Sequence, residues 1–572
     1  LKHLWQISSS DESRVERLVK DLNDNELLCR CLVNRGITEA DVATRFLSPR
    51  LSDLASPELI PNLLFAVDRL FEARDNNEKI VVFGDYDVDG ITSTAILLDA
   101  MERLGWDISG YLPDRMDEGY GLTIEGVKNC IEKHHPDLLI AADCGSTSVG
   151  VIQELNELQI DVIVIDHHQV CDPPPKPVAL VNPHLSSNEG RNFRELCAAG
   201  LAFKLVHGLV KRGREEGKSG FMEYDIRLLL DLVALGTIAD LVPLTGENRI
   251  LAFKGLEQLN RTGRPGLRAL ISVGGINGKM DSHDVGFQLC PRLNAAGRLE
   301  KASSSLDLIR TNNQEIAFDL ASQLDRHNQE RQRIEKELTK QVMSQLKGQF
   351  KPENDYAIVM GEPGWNIGVI GIVASRIQRE FYRPTFILGG KSEDLRGSGR
   401  SVKGFDLNAA LEECANVLNR YGGHAMAAGI SLSQENIEAF RERLNEFAKT
   451  VLTDEDLTPV LRLDSTVSLD KLRLSDMDTL QALQPVGQGA PPVQVAILGV
   501  ELFQDVQWMG ADKQHAKLIV TDGSESGEVV WWNAAGKKAP FGRFDLAVQP
   551  AINLWRGKRS VQLKMLDWRP ST

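Results

Sequence analysis

Three aspartates recur at alternate positions in Gly84-Asp-Tyr-Asp-Val-Asp-Gly90, directly after the apolar run at residues 80–83. One such aspartate is explained as a helix N-cap, accepting backbone N–H bonds and complementing the helix dipole. Three are not. On an extended segment alternate residues share a face, so Asp85, Asp87 and Asp89 would repel one another without a cation among them. Hard divalent ions take oxygen ligands, and a closely spaced pair of ions needs several carboxylates. Matching groups close other apolar runs: Asp143 ends "LLIAAD", Asp166-His167-His168 ends "VIVIDHH", and Asp240 follows "LGTIA". His134-His135 precede Pro136 at an expected helix end without an acidic partner, so they read as solvated surface. A set of carboxylates with imidazole favours Mn2+, or Mg2+ with weaker use of the histidine. No Lys-Ser/Thr pair follows Gly90, which excludes a phosphate-cradling Walker loop.

The elements that must position these groups are legible in the pattern around them. Short β-branched runs at residues 80–83, 138–142 and 161–165 alternate with amphipathic stretches at 92–104 and 147–158. Such alternation predicts a doubly wound parallel sheet, with the acids at the carboxyl edge where ligands bind. At 572 residues the chain needs several domains. Residues 307–346 turn polar and helical, with Leu320, Leu324, Ile334, Leu338, Val342 and Leu346 on one face, as expected of a long helix joining two lobes. A second α/β unit follows at about 356–451. From about residue 459 the pattern is short strands with turns, which fits a small barrel or a sandwich equally.

Apolar runs of strand length do not span a bilayer, and the first residues carry no signal-peptide core. Eight cysteines without a Cys-x-x-Cys pair point to a reducing cytoplasm. A net charge of −15 excludes a surface coated for polyanion binding, yet from Trp532 onward eight Lys or Arg face two Asp, a net of +6. Trp365, Trp508, Trp531, Trp532 and Trp555 also fall in this half, and stacking aromatics beside basic residues hold unpaired bases. Trp555, in "NLWRGKR", is the candidate for exposure, the others being at least half core.

Asp85-x-Asp87-x-Asp89, Asp143-Cys-Gly, Asp166-His-His and Asp240 resemble, in order and spacing, the four motifs of the DHH phosphoesterase superfamily. "PDRMDEGYGL", "CPRLNAAGRL", "GWNIGVIGIVASRI", "GSGRSVKGFDL", "YGGHAMAAGIS" and "LQPVGQGAPPV" are similar to segments of its bacterial single-strand-specific exonucleases, so the resemblance covers nearly the whole chain. It implies an N-terminal helical lead-in (1–55), a DHH catalytic α/β domain (56–310), a connecting helix (311–350), a DHHA1 α/β domain (351–455) and an oligonucleotide-binding (OB) barrel (456–572). It implies two ions of Mn2+ or Mg2+ held by Asp85, Asp87, Asp89, Asp143, His167 and Asp240. Asp143 would bridge them, Asp166 would brace the histidines and His168 would face the scissile phosphate. Asp85 reads either as a ligand or as an acceptor behind the ligands.

Arg115, Ser398 and Arg400 match positions implied to hold a 5′-phosphate, a task suited to forked and hydroxyl donors; each arginine taken singly also reads as a surface ion pair. Arg292, Asn294, Arg298 and His424 are implied to line the substrate channel. The implied activity is processive 5′→3′ hydrolysis of single-stranded DNA to 5′-mononucleotides in recombination and repair. Two lobes would form a ring or cleft that rejects duplex. Single-strand-binding protein and a recombination helicase are the implied partners of a cytoplasmic monomer with no membrane contact. The rivals are a phosphodiesterase of short oligonucleotides or cyclic dinucleotides, whose usual forms lack the basic terminal barrel, and a catalytically silent replisome scaffold, which would have lost metal ligands.

Overall fold

The structure is a computed structural model describing residues 3–114, 118–119, 121–185, 193–299, 302–555 and 557–571. It divides into two compact units: one comprises Asp11–Asn328 with Asp478–Pro492, the other Leu1–Ser10, Gln329–Met477 and Val493–Thr572.

The first unit is built on a parallel sheet of β1 (Ile80–Gly84), β2 (Ile108–Tyr111), β3 (Leu138–Ala142), β4 (Asp161–Ile165) and β5 (Ala179–Val181), in spatial order β2-β1-β3-β4-β5. Every residue of β1 and β3 is buried, which is why these strands read as unbroken apolar runs: both faces are covered. Register Ile80↔Leu138 and Leu138↔Asp161 aligns the carboxyl ends, so the residues that follow each strand gather along one edge. The expected parallel α/β sheet is therefore present.

Helix α1 (Val88–Arg103) begins four residues before the expected stretch, because Asp87 caps it and the helix starts inside the acidic motif. Its residues are buried almost all round rather than on one stripe, as befits a helix overlaid by others. Those include α2 (Ala198–Glu215) and α3 (Leu230–Ala239). The run before Asp240 is thus a helix, α3, and Asp240 is its C-cap. Helices α4 (Gly246–Leu259) and α5 (Cys290–Leu299) complete the surroundings of the site.

A 36-residue helix, α6 (Gln314–Gln349), carries the chain from one unit to the other. Leu324 is buried in the core of the first unit, while Leu338, Val342 and Leu346 pack with Trp365 and Ile370 in the second. There a sheet of β6 (Ile358–Gly361), β7 (Thr385–Lys391), β8 (Asp394–Arg400), β9 (Arg420–His424) and β10 (Ala427–Leu432) runs in the order β9-β10-β8-β7-β6, with α7 (Ile370–Phe381) against β7 and β8.

The terminal strands β11 (Val495–Leu502), β12 (His515–Thr521), β13 (Ser526–Trp531), β14 (Phe544–Trp555) and β15 (Lys558–Pro570) close in the order β11-β14-β15-β13-β12-β11. Closure decides for the barrel over the sandwich. The helical lead-in contains helices Glu12–Leu22, Glu26–Asn34 and Ala40–Leu47, but the chain opens on a strand, Leu4–Ile7, that pairs in parallel with Val460–Leu463. Among the described residues no helix is long and apolar enough to cross a membrane.

Candidate metal centre

The acidic motif does not stay extended. Only Asp85 directly follows β1; Asp87 folds back so that its Oδ1 accepts from the backbone N–H of Asp89 (2.9 Å) and Gly90 (3.1 Å). The capping role thus belongs to Asp87, and the shared-face argument from an extended segment gives way to a tight turn. Gly90 is required there: a Cβ would lie 2.4 Å from the Asp85 carbonyl oxygen. Asp89, one residue into α1, reaches across to the start of α2, where Ala198 and Ala199 donate to its two oxygens at 2.7 and 2.9 Å. Turn and helix capping aim three carboxylates from one short motif at two neighbouring positions.

Three overlapping groups result. Asp85, Asp87 and Asp143 each present a carboxylate oxygen within 4.8 Å of the others, Asp89, His167 and Asp240 form a second such set, and Asp143, His167 and His168 form a third. Asp143 also lies between the first two: its Oδ1 is 3.4 Å from His167 Nε2, which is 3.5 Å from Asp240 and 3.8 Å from Asp89. Among the described residues, Asp143 Oδ1 and His167 Nε2 are buried without a hydrogen-bond partner, and Asp143 holds a left-handed backbone (φ 65°), a strain that clusters at functional positions.

Burial, then the neighbouring carboxylates, push Asp89 up to about 6, Asp240 up to about 8 and Asp143 well above the usual carboxylate range. Burial and the neighbouring His168 push His167 down to about 4, leaving it a neutral imidazole suited to ligation. Crowded carboxylates that resist ionising together, plus neutral imidazole, are a donor set that a divalent cation completes.

His168 Nδ1 lies 3.9 Å from Asp143 Oδ1 but is taken up by Asp166. Against the effect of burial, Asp166 raises it to about 9, and Asp166 itself is lowered by that ion pair and by Ser146. Asp166 Oδ1 accepts from His168 Nδ1 at 2.8 Å, and Oδ2 from the Ser146 N–H at 2.9 Å. Asn182 adds donors to Ser146 Oγ and the His168 carbonyl. The sequence motifs do not single out Asn182; its signal is an Asn closing the short apolar run of β5 at the edge where the acids lie.

The other predicted residues fall less uniformly. Asn294 on α5 accepts from the Val88 N–H at 3.1 Å and so buttresses the acidic turn. Arg292 is committed to Asp325 (2.8 Å) and the Gln288 carbonyl. Arg115, and the side chains of Arg298 and Trp555, lie outside the described residues. Ser398 and Arg400 meet on β8, with Arg400 Nη1 donating to Ser398 Oγ at 3.0 Å. Among the described residues no carboxylate pairs with Arg400, and burial lowers its pKa. Gly371 in the first turn of α7 faces both, since a Cβ there would stand 3.0 Å from Ser398 Oγ and 3.2 Å from Arg400 Nη2. His424 ends the fully exposed strand β9.

Trp365 and Trp531 are core; Trp508 and Trp532 are exposed, Trp532 edge-on to His515. His134 corrects the surface reading: it packs edge-on against Tyr111 and bonds Ser109, and only His135 is exposed.

Residues 79–237 match the DHH family, N-terminal domain; residues 354–450 match the DHHA1 domain and 463–567 the RecJ OB domain. The chain is 36% identical to the single-stranded-DNA-specific exonuclease RecJ of Bacillus subtilis, over 99% of this chain and 71% of that one. To the protein of the same name from Haemophilus influenzae it is 35% identical over 91% and 92%. The crystal structure of RecJ in complex with Mn2+ from Thermus thermophilus superposes with a TM-score of 0.84 at 29% identity, covering 99% of this chain and 80% of that one.

Proposed function

Because this chain belongs to the RecJ family of single-stranded-DNA-specific exonucleases, we propose that it hydrolyses single-stranded DNA in the 5′→3′ direction to 5′-mononucleotides at the two-set acidic centre. The observation that carries the reading is the pair of ligand sets joined at Asp143. Asp85, Asp87 and Asp143 would hold one Mn2+ or Mg2+; Asp89, Asp143, His167 and Asp240 the other. Bound there, such ions supply a lowered water pKa and positive charge for the phosphate oxygens.

The chain's own residues do the rest. Asp166 fixes the His168 ring through Nδ1, which supports the reading that His168 faces a phosphate oxygen of the substrate. Asn294 and the Asp87 cap hold the acidic turn against movement. Ser398, Arg400 and the first turn of α7 form a donor-rich anion site without a competing carboxylate among the described residues, suited to a terminal 5′-phosphate. Exposed Trp508 and Trp532 on the barrel would stack on unpaired bases. Family membership also supports single-strand-binding protein and a recombination helicase as partners of a cytoplasmic monomer.

The test uses a 5′-phosphorylated single strand labelled near its 3′ end, with Mn2+ or chelator, beside a blunt duplex. Mononucleotides released in order from the 5′ end, only from the single strand and only with metal, are expected. Survival of long strands while di- to pentanucleotides are cut would transfer the activity to the short-substrate class.

A further inference from the structure

Between the second sheet and the barrel the chain makes a detour. Residues 478–492 have the second unit's sequence on both sides, yet belong to the compact unit that carries the metal centre. This strap, "DTLQALQPVGQGAPP", is seated by a series of polar bonds to its main chain. Arg249 on α4 is 2% exposed, and among the described residues it pairs with no carboxylate. Its guanidinium donates to the carbonyls of Leu483 (3.2 Å), Gln484 (3.0 Å) and Pro485 (3.1 Å) on the strap, and through Nε to Phe46 (2.7 Å). Ser282 Oγ donates to the Val486 carbonyl at 2.6 Å, and Ala490 is fully buried in the core. A buried guanidinium whose donors are spent on main-chain carbonyls fixes backbone position rather than balancing charge.

What the strap grips is the turn behind Asp240. The Leu244 N–H donates to the Gln488 carbonyl at 2.7 Å. Gly489 (φ 70°) lies directly against Pro243, where a Cβ would stand 3.0 Å from Pro243 Cβ and 3.3 Å from its Cα. From the other side Asn248 donates to the Pro243 carbonyl at 3.1 Å. The Pro243–Leu244 backbone is thus clasped between α4 and the strap, three residues after Asp240, on a turn already constrained by Leu241 in a left-handed conformation (φ 59°). The Asp240 carboxylate lies 3.5 Å from His167, a spacing that a displacement of that turn would change.

We propose that residues 482–489 are a positioning element for Asp240, clamped by Arg249, so that the cation site is complete only when this remote segment is seated. The inference rests on the reading of Asp240 as a ligand. Outer partners of metal ligands set affinity by roughly 10–100-fold; the strap would act on Asp240 indirectly, through the backbone of Pro243 and Leu244.

The full chain carrying Gly489→Ala, Arg249→Met or Asp240→Ala is titrated with Mn2+ by calorimetry, and its turnover of a short oligonucleotide is measured against Mn2+ concentration. Gly489→Ala, a methyl group pressed on Pro243, should leave the fold intact by circular dichroism. It should weaken Mn2+ binding about tenfold or more, and lower kcat at limiting Mn2+ with recovery at high Mn2+. KM for DNA should stay unchanged. A folded Gly489→Ala or Arg249→Met with native Mn2+ affinity, while Asp240→Ala has lost it, overturns the strap. Native affinity in Asp240→Ala overturns the ligand assignment on which the strap depends.

Discussion

Asp143 combines a left-handed backbone, near-complete burial and the crowding of Asp89, Asp87 and Asp85. Asparagine tolerates that backbone where most residues do not, so Asp143→Asn removes the ionisable group and little else. In chelator the variant should melt about a degree above the parent, reflecting about 1 kcal/mol of relieved repulsion spread over a unit of this size. The rise in melting temperature that Mn2+ gives the parent should shrink, and activity should fall beyond the roughly 10–100-fold typical of an outer partner. Scanning calorimetry with and without Mn2+ checks the first two, and an unchanged response to Mn2+ would remove Asp143 from the ligand set. At this scale the motif was legible because like charges at such spacing demand a counter-charge. The division of labour within it was not: only the turn shows that Asp87 caps α1 and that Asp89 faces the start of α2.

The opening strand, Leu4–Ile7, shows what periodicity along the chain misses. Four residues with one half-buried aromatic carry no pattern; their partner, Val460–Leu463, lies about 450 residues away. Trp5 Nε1 donates to Asp567 at 3.0 Å, His3 meets the same carboxylate at 3.2 Å, and Arg569 lies 4.4 Å over the indole. Burial works to raise Asp567, but the bonds from His3 and Trp5 outweigh it, and the carboxyl is lowered. A group depressed in the fold gives stability that is present above the unfolded value near 4 and is lost as pH falls through the depressed one. Asp567→Asn should therefore cost about 1–2 kcal/mol at neutral pH and progressively less as pH falls through the depressed value. Denaturation of the barrel followed by tryptophan fluorescence at neutral and at acid pH checks this; an equal loss at both would assign the effect to packing. The long helix α6, by contrast, was legible from its leucines, since a helix that serves two cores keeps the same 3.6-residue period throughout.

The whole molecule carries −15, while the stretch from Trp532 onward carries +6. Lys538 lies 4.4 Å over the exposed Phe541 and Lys537 within 6.0 Å of Trp531, so basic and aromatic groups share one region of the barrel. Replacing Lys537 and Lys538 by Gln should weaken binding of a long single strand at low salt. The slope of log affinity against log salt should fall by about 0.7 for each phosphate that is no longer neutralised. Turnover of a short oligonucleotide should hold steady. Fluorescence anisotropy over a salt series reads the slope, and an unaltered slope would place the DNA path elsewhere on the barrel.

The sequence by itself determined the chemistry and the kinds of layer. Acids and histidines at the ends of buried β-branched runs can serve little else than a cation at a parallel-sheet edge, because burial and like charge are both costly alone. Only the tertiary structure decided which carboxylate joins which set, that the apolar run before Asp240 is a helix, that the terminal strands close into a ring, and that residues 478–492 leave the barrel's sequence to pack on the unit that carries Asp240. The physical reason is common to all four. Local periodicity reports which face of an element is covered, but not by what, and pairings between residues hundreds of positions apart leave no period in the chain.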